Sequence, residues 1–263
     1  MKVGIIGVGY VGSAVAHSHR QDQLVIRDPK LGDLSADMQS VADCDVIYAC
    51  LPSPSKPDGT CDTSYLEHSI AELMTYPGME RRLVISKTTA PPTAYQVLHR
   101  RWPNIVHVPE FLTATNHIQS YESTPYFVLG GSRDWCLQAR TVLETKFTLP
   151  DERWMFTDIV TASLYKYLMN TYLATKVTFL NEFYSLSESL GVDFRELTDL
   201  AQFDERIGAS HMQVPGPDGK FGWGGACFPK DLMAILKVAK SLDLDFGLLA
   251  CVNRINHWHR DNR

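Results

Sequence analysis

The chain has 263 residues, of which 44% are hydrophobic, so it can bury a substantial core as one large domain or two smaller ones. Its net charge of −5 gives no reason to expect nucleic acid as a partner, because neutralising phosphates requires clustered Lys and Arg. No stretch approaches the roughly 18 apolar residues of a membrane span, and the six cysteines lack Cys-x-x-Cys spacing. We therefore expect a cytoplasmic protein with reduced thiols and no membrane association.

The first 130 residues alternate short apolar runs with helical patterns. This alternation predicts parallel strands joined by helical crossovers in a doubly wound, Rossmann-type α/β sheet. The expected strands are Val3–Gly7, Leu24–Arg27, Val46–Cys50, Leu83–Ser86, Ile105–Val108 and Phe127–Gly130. The expected helices are Val11–Arg20, Tyr65–Tyr76, Ala94–Trp102 and Asp134–Thr145. We assign residues 1–156 to this domain.

A second domain is indicated by the change of pattern that follows. Residues 162–190 contain no Gly or Pro and repeat apolar side chains every three or four positions, which predicts one helix of roughly 30 residues. Gly191 should end it, and Asp193 is a suitable N-cap for the next helix. A loop rich in Gly and Pro then precedes a closing helix near Pro229. We assign residues 157–263 to an all-helical domain.

A glycine-rich fingerprint, Gly7-Val8-Gly9-Tyr10-Val11-Gly12, joins the first strand to the first helix. Its glycines suit a tight turn, the approach of a pyrophosphate and close packing of helix on strand. Asp28 ends the second strand, where a carboxylate accepts hydrogen bonds from a ribose and repels a 2′-phosphate. The pattern predicts NAD as the cofactor; the alternative is a turn with incidental glycines. The predicted cofactor-binding residues here are Gly7, Gly9, Tyr10, Val11, Gly12, Asp28 and Lys30.

Cys227 stands between the glycine-rich Gly222–Ala226 and the charged sequence Phe228–Asp231. Pro229 suits the first turn of a helix, which would put the thiol where backbone N–H groups and the helix dipole stabilise a thiolate. Lys230 adds a positive charge, and the glycines leave room for a substrate. We predict a nucleophilic cysteine here. A buried structural cysteine is the alternative, which we prefer for the other five.

Five further positions carry chemistry that suits such a site. Lys166 and Asn170 share one face of the long helix and could stabilise an oxyanion, or they could be ordinary helix surface. Glu110 and Thr88-Thr89 follow predicted strands at the sheet edge where ligands gather; turn-forming threonines are the alternative. The nine histidines show no metal-binding spacing, so we predict no metal.

These segments together resemble the UDP-glucose/GDP-mannose dehydrogenase family. The matching pieces, in family order, are Gly-Val-Gly-Tyr-Val-Gly, Leu-Pro-Ser-Pro, Lys-Thr-Thr-Ala-Pro, Pro-Glu-Phe-Leu, Lys-x3-Asn-Thr-Tyr-Leu-Ala-Thr-Lys-Val, Arg-Ile-Gly and Gly-Trp-Gly-Gly-Ala-Cys-Phe-Pro-Lys-Asp. The resemblance implies NAD-dependent oxidation of the C6 alcohol of a nucleotide sugar, with UDP-glucose to UDP-glucuronate as the best guess, in polysaccharide biosynthesis. Two NAD molecules would be used per turnover.

The resemblance also implies roles for single residues. Cys227 would attack the intermediate aldehyde to give a thiohemiacetal and then a thioester. Lys166 and Asn170 would stabilise the oxyanion, while Glu110 and Asp231 would handle protons and the hydrolytic water. The implied catalytic set is Cys227, Lys166, Asn170, Asp231, Glu110 and Thr89, with Thr89 and Lys230 also near the cofactor. The implied substrate-binding set is Glu110, Phe111, Leu112, Lys166, Asn170, Arg206, Phe221 and Gly224.

Quaternary structure follows from the same resemblance. Arg206 would reach the sugar of a neighbouring subunit, and a homodimer would form through the long helix of residues 158–190, whose apolar stripe needs a partner.

The chain departs from the family pattern in several places. A third domain that holds much of the nucleotide would be missing, which makes this a short form. Ala114 occupies the place of a second carboxylate, and Thr88, Thr93 and Ser163 replace a serine, a glycine and a carboxylate. Two other functions therefore stay open: a hydroxyacid dehydrogenase of the 6-phosphogluconate or 3-hydroxyacid type, and a non-catalytic NAD-binding remnant.

Overall fold

The computed structural model describes residues 1–112 and 116–263. By its contacts the chain forms two compact units: unit 1 comprises Met1–Lys56 with Cys61–Lys166, and unit 2 comprises Pro57–Thr60 with Tyr167–Arg263.

Unit 1 is built on a seven-stranded sheet with the strand order β2-β1-β3-β4-β5-β6-β7. Its strands are β1 Lys2–Ile6, β2 Gln23–Arg27, β3 Val46–Ala49, β4 Leu83–Ser86, β5 Ile105–His107, β6 Phe127–Gly130 and β7 Trp154–Thr157. The first five run parallel, as the sequence predicts, and their limits differ from the predicted ones by at most one residue at either end.

The expectation of an all-parallel sheet is wrong at one edge. β6 pairs antiparallel with β5 through His107 and Gly130, and β7 then runs parallel to β6. β7 was not predicted, because its four residues directly follow a short 3-10 helix and are too few to show an alternating pattern. The fold is otherwise the predicted Rossmann-type architecture with a helical second unit.

Helices cover the sheet and form unit 2. The helices of unit 1 are α1 Tyr10–Ser18, α2 Met38–Ala42, α3 Ser64–Leu73, α4 Pro92–Arg101, α5 His117–Glu122 and α6 Arg133–Glu144, with short 3-10 helices at Pro29–Leu34, Met79–Arg81 and Asp151–Arg153. The later helices are α7 Ile159–Leu190, α8 Phe194–Ala201, α9 Phe228–Ser241 and α10 Gly247–Asn262. Both α2 and α5 were missed, because five or six residues are too few to show a helical period.

Two apolar cores hold the sheet between its helices. Alternate residues of the central strands point to opposite faces, so Ile5 belongs to one core and Ile6 to the other. β3 is buried at every position, as expected of a central parallel strand covered on both sides.

The long helix α7 has 32 residues and starts three residues before the segment 162–190 in which the sequence contains no Gly or Pro. The Asp158 carboxylate accepts hydrogen bonds from the backbone N–H groups of Val160 and Thr161, both at 2.9 Å, which begins the helix. Gly191, with φ of 69°, follows its last residue. The predicted N-cap Asp193 accepts a hydrogen bond from the Arg195 N–H and begins α8.

Candidate functional site

The turn between β1 and α1 requires glycine at two of its positions. Gly7 has φ of 89°, a left-handed conformation that side chains disfavour. A Cβ on Gly12 would lie 1.9 Å from the Gly7 carbonyl oxygen, so the helix can approach the strand only without it. A Cβ on Gly9 would meet no described atom within 4 Å apart from its chain neighbours, so the backbone there is open to a ligand. Tyr10 is exposed and Val11 is half-buried at the start of α1.

Asp28, at the end of β2, is buried and already engaged with the backbone. Its carboxylate accepts a hydrogen bond from the Val8 N–H at 2.7 Å and another from the Lys30 N–H at 2.9 Å. The same side chain therefore fixes the glycine-rich turn and the loop after β2. Lys30 itself is exposed, and the neighbouring Arg27 guanidinium lies 3.3 Å from Glu72.

The threonines after β4 have different surroundings. The Thr88 hydroxyl is buried and accepts a hydrogen bond from the Leu51 N–H at 2.9 Å, which ties the ends of β3 and β4 together. Thr89 is half-buried, and its carbonyl accepts a hydrogen bond from Ser53. The Thr88 hydroxyl thus has a structural partner, whereas the Thr89 side chain is only half-buried.

Glu110 and Lys166 form an ion pair within unit 1. The Lys166 ammonium group lies 3.3 Å from one Glu110 carboxylate oxygen and donates a hydrogen bond to the Glu110 carbonyl. The other carboxylate oxygen accepts from the Leu112 N–H at 2.7 Å. The Phe111 ring centroid is 4.9 Å from the ammonium group. Four predicted site residues therefore lie in one cluster: Glu110, Phe111, Leu112 and Lys166. Ala114, which stands where the family has a second carboxylate, lies outside the described residues.

A second polar cluster lies in unit 2 at the start of α9. The Asp231 carboxylate is 1% exposed and accepts hydrogen bonds from Asn170 at 2.6 Å and from Lys230 at 2.5 Å. Cys227 is exposed and is the N-cap of this helix. Its carbonyl oxygen accepts a hydrogen bond from the Asp231 N–H at 2.8 Å. Cys227 thus stands at the N-terminal end of a helix, where the backbone N–H groups carry a partial positive charge.

Three buried polar residues that the sequence reasoning missed hold the glycine-rich loop before Cys227. The Asn256 side-chain amide accepts a hydrogen bond from the Trp223 N–H at 2.7 Å and donates one to the Trp223 carbonyl at 3.0 Å. Asn181 accepts the Gly222 N–H at 2.8 Å, and Thr178 accepts the Trp223 indole N–H at 2.8 Å. A polar residue that interrupts an apolar helix face is the only sequence signal that could have identified them.

This loop borders a cavity of about 580 Å³ in unit 2, whose walls include Gly224 and Phe228. A Cβ on Gly224 would lie 2.2 Å from the Arg260 guanidinium, so a larger residue there would require the Arg260 side chain to move. Phe221 is half-buried, with its ring 5.3 Å from the Arg263 guanidinium. Arg206 is exposed and pairs with Asp204.

The described residues contain no group of three or more His, Cys, Asp or Glu side chains that could hold a metal ion. Within the same ranges, no helix is both long enough and apolar enough to cross a bilayer.

The sheet, the glycine-rich turn and Asp28 define unit 1 as a Rossmann-type dinucleotide-binding fold. Residues 20–147 match the NAD binding domain of the UDP-glucose/GDP-mannose dehydrogenase family, and residues 160–258 match the central domain of the same family. The chain belongs to this family, and the prediction of NAD as cofactor is confirmed.

Relatives of known sequence agree with this assignment. A UDP-glucose 6-dehydrogenase of Rickettsia bellii is 28% identical over 223 residues, which are 83% of this chain and 50% of the relative. A putative UDP-glucose 6-dehydrogenase of Bacillus subtilis is 26% identical over 295 residues, with 97% and 67% covered. The chain thus spans about half the length of the Rickettsia relative.

Solved structures share the fold. A UDP-glucose dehydrogenase from Pyrobaculum islandicum superposes with a TM-score of 0.82 at 23% identity, covering 98% of this chain and 68% of that one. The 3-hydroxyisobutyrate dehydrogenase of Mycobacterium tuberculosis superposes with a TM-score of 0.74 at 18% identity, covering 99% and 95%. At these identities the similarity establishes the architecture alone.

Proposed function

We propose that this protein is an NAD-dependent dehydrogenase that oxidises the C6 alcohol of a nucleotide sugar, with UDP-glucose as the first candidate, to a carboxylate. The observation that carries the proposal is the start of α9. There an exposed Cys227 begins the helix, and a buried Asp231 lies one turn further on, hydrogen-bonded to Asn170 and Lys230. A thiol in this position can hold an aldehyde covalently between two oxidations.

The proposed reaction proceeds in four balanced steps. The alcohol loses a hydride and a proton to become an aldehyde. The Cys227 sulfur adds to the aldehyde carbon to give a thiohemiacetal, which loses a second hydride and proton to become a thioester. Water then cleaves the thioester, releasing the carboxylate and the thiol. NAD held by the Gly7–Gly12 turn and Asp28 would supply the hydride acceptor for both oxidations, so each sugar would consume two NAD and one water.

The charged side chains take the proton and oxyanion roles. Lys166 and Asn170 donate hydrogen bonds to the oxygen that becomes negative during attack and hydrolysis. Glu110 and Asp231 accept protons and direct the water. The short hydrogen bonds around Asp231 support this role because they fix its carboxylate in one orientation.

Cofactor and substrate are assigned to further residues. The Gly7–Gly12 turn would receive the pyrophosphate and Asp28 the adenosine ribose, with Lys30 beside it; Thr89 and Lys230 would lie near the nicotinamide. The 580 Å³ cavity beside Gly224 is our candidate for part of the sugar-nucleotide site. The remaining proposed substrate contacts are Phe111, Leu112, Arg206 and Phe221.

The decisive experiment mixes the protein with NAD and UDP-glucose and follows NADH absorbance while the sugar product is identified. We expect two NADH per uronate formed. Cys227→Ser should abolish uronate formation, and Cys251→Ser, a matched change of a half-buried cysteine on α10, should not. Hydroxylamine should convert the thioester of the wild type into a hydroxamate. Full activity in Cys227→Ser would contradict the thioester mechanism.

The same assay separates the other functions. A hydroxyacid dehydrogenase would form one NADH per substrate and would not depend on Cys227. A non-catalytic NAD-binding protein would bind NAD and turn over no nucleotide sugar.

We also propose a homodimer through α7. Six large apolar side chains of this helix in unit 2 are 41% to 68% exposed: Leu168, Tyr172, Phe179, Phe183, Leu186 and Leu190. Their spacing of three, four and seven residues forms a stripe suited to helix pairing. Phe179→Glu with Phe183→Glu should convert a dimer into a monomer in sedimentation experiments, whereas Leu248→Glu, a change of a more exposed apolar residue on α10, should not. A monomeric wild type would refute the proposal.

A further inference from the structure

Lys176, a half-buried residue of α7, binds the backbone of one loop segment in unit 2, and the proposed mechanism does not use it. Its Nζ donates hydrogen bonds to the carbonyl oxygens of Ile207 at 3.1 Å, Gly208 at 2.7 Å and Ser210 at 2.6 Å. An ammonium group has three N–H donors, so these three carbonyls match its whole donor capacity. Hydrogen bonds from a charged donor are stronger than those between neutral groups, so the segment is firmly held.

Residues 207–211, which we call the lysine-bound segment, contain the sharp turns that such converging carbonyls require. Gly208 has φ of 68° and His211 has φ of 61°, so the backbone is left-handed at both positions. Glycine adopts this conformation readily, whereas a residue with a side chain keeps it when the surrounding structure fixes it. The Ser210 carbonyl, which directly precedes His211 in the chain, is one of the three that Lys176 binds.

The lysine-bound segment forms part of the wall of the 580 Å³ cavity in unit 2. Ala209, Ser210 and His211 line this cavity. The His211 ring centroid lies 5.7 Å from that of Phe228, which is another lining residue and the chain neighbour of Cys227. Lys176 therefore fixes the backbone of a wall that reaches a residue next to the proposed nucleophile.

The helix α7 holds a second part of the same wall. The Gly222–Gly225 stretch also lines the cavity, and the Asn181 side chain accepts a hydrogen bond from the Gly222 N–H at 2.8 Å. Lys176 and Asn181 are five positions apart, which is about 7.5 Å along a helix axis. Two wall segments are therefore attached to one helix at a fixed spacing.

We propose that Lys176 is a positioning residue for substrate binding: by holding the lysine-bound segment, it keeps the cavity wall in the shape that the nucleotide sugar fits. The inference rests on the proposed function, in which this cavity takes part of the sugar nucleotide. Lys176 takes no part in the bond changes at Cys227. Without it the segment would be mobile in the free protein, and the substrate would have to order it on binding, which lowers affinity.

The first test needs no catalysis and uses trypsin, which cleaves after Arg206, an exposed residue directly before the lysine-bound segment. Cleavage requires local opening of the backbone on both sides of the bond. Lys176→Met should be cleaved there about tenfold faster than the wild type, because the hydrogen bonds of a charged donor are lost. Lys240→Met, which removes an exposed lysine of α9, should be cleaved at the wild-type rate. Equal rates after Arg206 in the wild type and Lys176→Met, measured by mass spectrometry, would overturn the proposal.

The second test separates KM from kcat for UDP-glucose. Lys176→Met should raise KM about tenfold and leave kcat near the wild-type value, because the contacts of Asp231 with Asn170 and Lys230 do not involve Lys176. Lys176→Arg keeps the charge and the donors and should raise KM less, and Lys240→Met should match the wild type. A fall in kcat with an unchanged KM, or an equal rise of KM in Lys176→Arg and Lys176→Met, would overturn the proposal.

Calorimetry distinguishes this failure from a failure of the proposed function. A wild type that binds UDP-glucose without oxidising it would contradict the proposed reaction alone. The dissociation constants of the wild type and Lys176→Met would then replace KM, with the same expected ratio, and equal constants would overturn the role of Lys176. A wild type that binds no nucleotide sugar would contradict both.

Discussion

Replacing Lys87 by Met should make the protein more stable at pH 7. Met has a similar length and packs well against aromatic rings, so it can fill the space beside Tyr121 and Phe127 without a buried charge. The pKa of Lys87 falls from its ordinary 10.5 to about 8, chiefly because burial disfavours the ammonium form. A difference of about 2.5 in pKa corresponds to about 3 kcal/mol, and the lost cation–π contacts reduce the expected gain to about 2 kcal/mol.

The pH dependence of this gain has a defined sign. Because the pKa of Lys87 is lower in the folded than in the unfolded state, the lysine destabilises the fold fully below about pH 8. This destabilisation decreases between about pH 8 and 10.5 and disappears above that range. The advantage of Lys87→Met should therefore be largest at neutral pH and should vanish in strong base.

Urea unfolding of the wild type and of Lys87→Met at pH 7 and pH 10 measures both effects. Lys146→Met serves as the matched control, and it should lose stability because Asp22 then lacks its partner at 2.7 Å. A Lys87→Met variant that is less stable than the wild type at pH 7 would refute the reasoning, since the buried ammonium group would then be a net stabilising feature.

Three further predictions concern other parts of the molecule. Gly12→Ala should lower both stability and NAD affinity in calorimetry, because its Cβ has no space, whereas Gly9→Ala should lower NAD affinity with little loss of stability. Burial raises the pKa of Asp22, but hydrogen bonds from Lys146 and His19 outweigh it and lower this pKa to about 2. The folded protein should therefore lose stability as the pH falls from about 4 towards 2. Asp22→Asn should flatten that part of the curve of unfolding free energy against pH. Asn256→Leu should destabilise unit 2 by about 2–3 kcal/mol in urea titrations, because two buried backbone groups of Trp223 lose their partners. An unchanged unfolding midpoint in Gly12→Ala or Asn256→Leu, or an unaltered acid-unfolding curve in Asp22→Asn, would contradict the corresponding packing or hydrogen-bond argument.

Much of the fold could be predicted from the sequence because its signals are local. Each strand from β1 to β6 contains a short run of apolar residues, and α7 shows a helical period without Gly or Pro between residues 162 and 190. The antiparallel pairing of β6 depends instead on contacts between distant segments. The sequence of neither strand indicates the single pair His107–Gly130, so the direction of β6 relative to β5 was predicted wrongly.

The candidate site likewise has parts that the sequence predicts and parts that only the folded chain reveals. Spacing along the chain identifies the Gly7–Gly12 turn and the loop that contains Cys227. By contrast, the partners of Trp223 come from positions 45 and 33 residues away, and only the folded chain brings Thr178 and Asn256 to it. Lys87 was overlooked for a similar reason. It stands in the motif Lys-Thr-Thr-Ala-Pro as an ordinary lysine, and its burial becomes apparent only in the sheet.

Asp28 has two roles: it shapes the glycine-rich turn, and we propose that it also recognises the ribose of the cofactor. The carboxylate that we propose for ribose recognition is also the acceptor for the Val8 and Lys30 amides, so it already shapes the turn before any ligand arrives. A substitution that makes room for a 2′-phosphate would remove those two bonds as well. Redirecting this protein towards NADP would therefore require a second change that supplies a new acceptor for the turn, and selectivity could not be altered at this position alone.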